Sequence, residues 1–235
     1  MELDGARRSG KTGTVRTALA IAACGPRLEV ALLSPASAAP GLVALAGPTP
    51  RSDLVMAAVD LLLRAAGIER TALEGVVASR GPGSFTGVRV ALATAQGLAG
   101  GLGIRAHGYS SLLAQAARTG ARECLAVQPA RRGFVYAQRY GRTGARPEPL
   151  EEPQMMALTA LVDSKLPVVA PAGLELAVGT PLAPTGITTA EALLELLAVE
   201  EHPDAATLAP LYLEPAPATP PARSATPWPP SPKAT

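Results

Sequence analysis

The sequence predicts an α/β fold, mixed sheets flanked by helices, on two observations of order and one of composition. Three short apolar runs, at residues 18–23, 28–33 and 41–46, stand ahead of the first helical pattern. Strand and helix patterns then alternate, so the elements read βββαβαβ. The 235 residues are 48% hydrophobic and 17% charged, enough to bury a core, while 23 Gly and 24 Pro without a Gly-X-Y period exclude a coiled coil and collagen.

The runs at 18–23 and 28–33 read as a hairpin turning at Cys24-Gly25-Pro26-Arg27, and Gly47-Pro48-Thr49-Pro50 ends the third strand. Ser52 or Asp53 can then cap a helix whose apolar positions Leu54, Val55, Ala58, Leu61, Leu62 and Ala65 recur at helical spacing, with Gly67 just past its end. Residues 75–78 form a short buried strand, the turn 79–87 is rich in glycine, and a second helix runs to about residue 100, capped by Ser84 or Thr86. A strand at 104–107 leads to a third helix, capped by Ser110 or Ser111 and reaching about Arg118. Residues 125–127 and 134–140 pair as a hairpin around Arg131-Arg132-Gly133.

Beyond the hairpin the pattern weakens. Residues 155–162 read as helical, 167–170 as a strand, and Thr188-x-x-Glu191 as a capping box opening a helix through Val199. From Glu214 onward eight of 22 residues are Pro among Ala, Ser and Thr, a composition that cannot bury enough apolar surface to offset ordering, so a disordered tail is expected at 214–235. A disordered extension is expected at 1–16.

Several functions are disfavoured by the residues themselves. Removing 1–16 and 214–235 leaves 15 basic and 16 acidic side chains, a neutral body with little long-range attraction for nucleic acid, although Arg131, Arg132, Arg139, Arg142 and Arg146 could form a local patch or a solvated surface. Cys24 and Cys124 have neither zinc nor disulfide spacing and read as buried small hydrophobes. No run of about 18 apolar residues lacks a charge or a long polar side chain, so a soluble chain is expected. Residues 5–12, GARRSGKT, match the P-loop pattern but lack the preceding buried strand, and Ile-Ala-Ala-Cys at 21–24 mimics a lipoprotein cleavage site inside the proposed hairpin. A zinc peptidase would need three ligands where only His107 and His202 are available. A nucleophile elbow at Ser84 would need glycine where Thr86 stands.

The segment 79–89, Ser-Arg-Gly-Pro-Gly-Ser-Phe-Thr-Gly-Val-Arg, carries the most information. Its glycines at a strand-to-helix junction fit either an anion cradle at the helix N-terminus or a tight turn that lets backbones approach closely. The helix after it is built from small residues, Ala91, Ala93, Ala95, Gly97, Ala99 and Gly100, which suits close packing inside the domain or against a partner.

That loop, followed by Gly100-Gly101-Leu102-Gly103-Ile104 and Ser110-Ser111-Leu112, resembles the TsaB (YeaZ) family. The hairpin at 20–33, the segment Ala130-Arg131-Arg132-Gly133-Phe134-Val135-Tyr136 and the final Pro210-Leu211-Tyr212-Leu213 extend the resemblance over residues 17–215. It implies an actin-like ATPase (ribonuclease H-like) fold of two related lobes, here 17–108 and 109–213, carrying a glycoprotease-type domain. It further implies a non-catalytic scaffold for threonylcarbamoyl transfer to the adenosine beside the tRNA anticodon, pairing with a catalytic TsaD homologue that works with the ATPase TsaE. ATP and metal would then belong to the partner subunits, with none in this chain, and tRNA would be met through the complex. The alternative is a homodimeric binding protein joined through the same helices, or a degenerate metallopeptidase or kinase homologue with another partner.

Carried over by position, the helices at 52–66 and 84–100 would face the partner, with Leu54, Ala58, Leu61, Ser84, Phe85, Thr86, Val88, Ala91, Ala95 and Leu98 at the interface. Gly81, Pro82, Gly83 and Gly87 would shape the loop, and Arg131, Arg132 and Arg139 are the candidate tRNA contacts. The chain departs from the family at Ala22-Ala23 where Asp-Thr is usual, at Arg51-Ser52-Asp53 for His-Ser-Glu, and at Pro129-Ala130-Arg131-Arg132 for Asp-Ala-Arg-Arg. Two alanines can neither organise hydrated Mg²⁺ nor hold phosphates, which argues against ATP turnover by this chain and against a kinase.

Overall fold

The computed structural model describes residues 16–35, 37–199 and 208–213. The expected tail 214–235, the P-loop-like 5–12, His202 and, save Arg16, the expected extension 1–16 lie outside the described residues.

Strands β1 (Ala18–Ala22), β2 (Leu28–Leu33) and β3 (Gly41–Leu45) form the antiparallel part of the first sheet. Helix α1 (Arg51–Ala66) leads to β4 (Gly75–Ser79), and helix α2 (Phe85–Leu102) to β5 (Arg105–Tyr109), giving the order β3-β2-β1-β4-β5 with β1, β4 and β5 parallel. Helix α3 (Ser111–Ala117) then precedes a second sheet of β6 (Glu123–Pro129), β7 (Phe134–Gly141), β8 (Glu148–Pro149), β9 (Gln154–Ala157) and β10 (Val168–Val169). Helix α4 (Thr189–Ala198) is the last regular element among the described residues.

The two faces of β1 explain the layering. Successive strand side chains point to opposite faces, so Leu19 and Ile21 join the core under α1 and α2, whereas Ala18, Ala20 and Ala22 join the core holding α3 and α4. The alanines leave room for α4, from the second half of the chain, to lie across β1, β2 and β4. The same central core takes Cys124, Ala126, Tyr136 and Tyr140 from the second sheet, so α3 and α4 are held between the sheets. The far face of the second sheet buries Leu125, Val127, Val135 and Ala137 against Leu161.

Local expectations met tertiary corrections at three places. Helix α1 has Pro50 at its N-cap and no side-chain cap, so Ser52 and Asp53 lie inside the first turn, where Asp53 favours the helix dipole. The helix expected at 155–162 is instead β9 followed by a 3-10 turn, Leu158–Asp163. The free edge of β7 pairs Met155 and Met156 with Tyr136 and Val135, and Leu158 N–H donates to Gly133 O, so ladder pairing overrides a helical composition. The two-residue β8 had no counterpart in the sequence pattern. At Thr188 the capping box forms as expected, the hydroxyl accepting from Glu191 N–H and the Glu191 carboxylate accepting from Thr188 N–H at 2.7 Å.

Candidate partner-binding face and the closed cleft

The glycine loop is a packing device. Ser84 caps α2 by accepting from Gly87 N–H at 3.2 Å, and its own N–H donates to Cys24 O at 2.9 Å. Gly83 has φ +145°, and a Cβ there would sit 2.5 Å from Cys24 O. A methyl on Gly87 would land on the Ala23 carbonyl oxygen and 2.9 Å from Arg51 Nη1. Arg80 N–H donates to Tyr109 O, so the amides of Arg80, Ser84 and Gly87 are engaged within the protein and the close-approach reading describes the loop.

Arg51, where the family pattern has histidine, supports this junction. Its Nη1 donates to Ala23 O at 3.0 Å and Ser84 Oγ at 3.2 Å, and its Nη2 to Gly25 O at 2.7 Å and Pro26 O at 3.0 Å. One planar guanidinium thereby ties the start of α1 to the β1–β2 turn and to the α2 cap, a fork that lysine's point charge cannot reproduce.

Between the sheets, beside Ala22, the cleft has room for about 10 Å³, lined by Cys24, Ser79, Ser111, Gln115 and Gln128. That is about one water, against the roughly 300–1,000 Å³ of a small-molecule site. Two polar links close it. The buried Glu29 carboxylate of β2 accepts from Thr189 N–H at 2.8 Å and Ala190 N–H at 3.2 Å, at the positive end of α4. Arg118 donates from Nε to Ile187 O at 2.9 Å and from Nη1 to Gln115 Oε1 at 2.5 Å and Ala170 O at 2.7 Å. Burial pulls this guanidinium down from its ordinary range and the Glu29 charge raises it. The Cys24 and Cys124 thiols are both pushed up to about 11, chiefly by burial, so neither is a nucleophile near neutral pH.

The outward face of α1 and α2 differs from the residues chosen from sequence. Ala58, Val88, Ala91, Ala95 and Leu98 are core residues of the first sheet's helical layer and have no surface to offer a partner. Leu54, Ser84 and Phe85 are half-buried, while Thr86 and Leu61 are exposed, Leu61 at 58%. Met56, five residues before Leu61 and so on another side of α1, is exposed at 37%. On α2, Phe85 starts a stripe that continues through Arg89, Ala93, Gln96, Gly97 and Gly100, all exposed beyond Phe85, in which Arg89 is the helix's one charged residue. An apolar stripe at helical spacing marks the inner face. The usable signal for the outer one is small uncharged residues where a solvated helix carries Lys and Glu.

Residues 208–213, far from both helices in sequence, complete this face. Leu208 packs on the α1/α2 core, Leu211 N–H donates to Arg80 O at 2.7 Å, and Tyr212 lies 5.3 Å from the Phe85 ring at 32°. The Arg89 guanidinium sits over the same ring, 4.0 Å from its centroid. Sequence spacing offers no sign of a contact between residues so far apart in the chain.

The proposed arginine cluster does not assemble. Arg131 and Arg132 are exposed at the β6–β7 turn, with Arg131 over the Phe134 ring at 4.8 Å. Arg139 lies along β7 and pairs with Glu123 at 3.4 Å and Glu151 at 3.9 Å. Arg142 donates to Ala145 O and Thr119 O, and Arg146 lies over Tyr109 at 5.5 Å. His107 is buried on β5. No helix among the described residues is long and apolar enough to cross a membrane.

Comparison with known proteins gives three results. Residues 51–200 match the family model described as TsaD, tRNA N6-adenosine threonylcarbamoyltransferase. The Escherichia coli (strain K12) tRNA threonylcarbamoyladenosine biosynthesis protein TsaB is 36% identical over 99 residues, covering 40% of this chain and 43% of TsaB, and an uncharacterized Mycobacterium leprae protein is 49% identical over 74 residues, covering 32% and 20%. The matched segments therefore span less than half the length of either curated relative. Among solved structures, YeaZ from Pseudomonas aeruginosa superposes with a TM-score of 0.66 at 25% identity, covering 84% of this chain and 99% of that one.

Proposed function

Because the chain belongs to the family of the TsaD model and, within it, to the TsaB/YeaZ group with its actin-like fold of two lobes, we propose that it serves tRNA threonylcarbamoyladenosine biosynthesis as a non-catalytic subunit. On this reading it acts in the cytoplasm by pairing with a TsaD-type homologue, which carries the transfer chemistry, and the pair works with a TsaE-type ATPase. ATP and metal are held on those partners.

The observation that carries the reading is uncharged, exposed surface on both helices: Leu61 on α1 at 58% exposure, and an α2 stripe with a single charge. Exposed leucine on one helix and small alanine and glycine positions on the other let a partner helix approach closely and lose apolar surface to it. The closed cleft supports a division of labour in which the chain contributes a surface and its partner the reaction.

The test mixes the chain with the TsaD-type homologue of the same source and follows complex mass by light scattering together with threonylcarbamoyl transfer to tRNA. A one-to-one complex and a gain in transfer are expected. Leu61→Arg, which places a charge where an apolar side chain is covered, is expected to weaken the complex at least about 30-fold with folding intact. Absence of a complex and unchanged transfer would overturn the reading in favour of a homodimer through the same helices.

Arg131 and Arg132 are retained as tRNA contacts of the assembled complex, and Arg139 is set aside because two carboxylates already neutralise it. Reversing both retained charges to Glu is expected to lower tRNA affinity and flatten its salt dependence by about two phosphate contacts. An unaltered salt slope would remove the turn from the nucleic-acid surface.

A further inference from the structure

We infer that the C-terminal strap, residues 208–213, is part of the partner-binding face, with Tyr212 and the Phe85–Arg89 pair contacting the TsaD-type homologue directly. The inference rests on the pairing proposed above and extends it to a segment far from both helices in sequence.

Three features place the strap there. Leu208 packs on the α1/α2 core and Leu211 N–H donates to Arg80 O, which fixes the segment against the glycine loop at the start of α2. Gly81 is shaped to this contact: a Cβ on it would lie 2.6 Å from Leu211 O, so the loop can carry the strap only without a side chain there. Tyr212 thereby reaches Phe85, the first residue of the exposed α2 stripe, while Arg89, one turn on, covers the same ring. The strap prolongs the stripe past the N-terminal end of α2 with a tyrosine that remains 39% exposed.

The chemistry of the patch specifies its occupant. Arg89 is the only charge of α2 and makes no ion pair among the described residues, so a surface that brings a carboxylate complements it. Further along, Ala93, Gln96, Gly97 and Gly100 offer no cation to a phosphate backbone, so a nucleic acid following the stripe would find one positive charge, whereas a helix with an apolar face and an acidic end matches it along its length. A tyrosine held by a ring contact, directly after a residue whose N–H is hydrogen-bonded to Arg80 O, has lost part of its freedom before binding, which favours aromatic residues at interfaces.

The test measures the dissociation constant for the TsaD-type homologue with the full chain and with Tyr212→Ala, Tyr212→Phe, Arg89→Ala and Leu61→Arg, each checked by thermal unfolding. Tyr212→Ala and Arg89→Ala are expected to weaken the complex at least about tenfold, and Tyr212→Phe, which keeps the ring, less than about threefold. If Leu61→Arg abolishes binding while Tyr212→Ala and Arg89→Ala leave it unchanged, the strap is no part of the interface and the pairing stands. If Leu61→Arg also has no effect, the pairing through these helices falls and the inference with it. Should Tyr212→Ala unfold the chain, Arg89→Ala, exposed and remote from the core, decides alone. Loss of tRNA binding by the isolated chain with unaltered affinity for the homologue would assign the stack to RNA and overturn the inference.

Discussion

Gly87→Ala is expected to destabilise the protein by about 3 kcal/mol or more, seen as a fall of about 1–2 M in the urea midpoint. The added methyl meets the Ala23 carbonyl oxygen, which is backbone in a buried strand end, and crowds Arg51 Nη1. Neither can retreat cheaply. Ala23 O accepts from Arg51, and Arg51 also holds Ser84, Gly25 and Pro26, so displacing it disturbs the α2 cap and the β1–β2 turn together. Gly97→Ala on the same helix is the control. Nothing lies within 4 Å of the position a Cβ would take there, so the gain in helix propensity is expected to stabilise by about 0.5–1 kcal/mol. Equal effects at the two positions would refute the close-approach account of the loop.

Glu29→Ala is expected to cost about 3–5 kcal/mol, and Glu29→Gln about 1–2 kcal/mol. Alanine leaves two N–H groups at the start of α4 without their acceptor and strips Arg118 of a nearby negative charge. Glutamine keeps an oxygen for those amides and loses the charge that favours a helix N-terminus. Because Glu29 lies on β2 and its donors on α4, the loss should be local before it is global: amide exchange across α4 is expected to quicken in Glu29→Gln while α2 stays protected. Uniform acceleration across both helices, or no loss in either variant, would show that this carboxylate does not hold α4 to the first sheet.

Much of the scaffold was legible because its signals are local. The strand β2 spans 28–33 as its apolar run predicts, Gly67 ends α1 at φ 64°, and Ser84, Ser110 and Thr188 cap α2, α3 and α4 from within one turn of the helices they begin. The candidate site was legible only as a pair of helices. Periodicity locates an apolar stripe, and on both helices that stripe is the core face, so Ala58, Val88, Ala91, Ala95 and Leu98 were chosen from the buried side. Arg51 stood out only as a departure from the family pattern, since nothing local shows that three carbonyls and Ser84 converge on it.

Residue types in the chain thus set the order of strands and helices as far as β7, the glycine junction before α2 and the family to which the chain belongs. These depend on residue types at short, fixed spacings. Only the tertiary structure decided which side of each helix faces outward, that β9 pairs with β7 instead of coiling, that Glu29 and Arg118 close the cleft, and that Tyr212 returns to Phe85. Each of these is set by what lies across a contact between distant segments, where burial and hydrogen-bond geometry outweigh local preference.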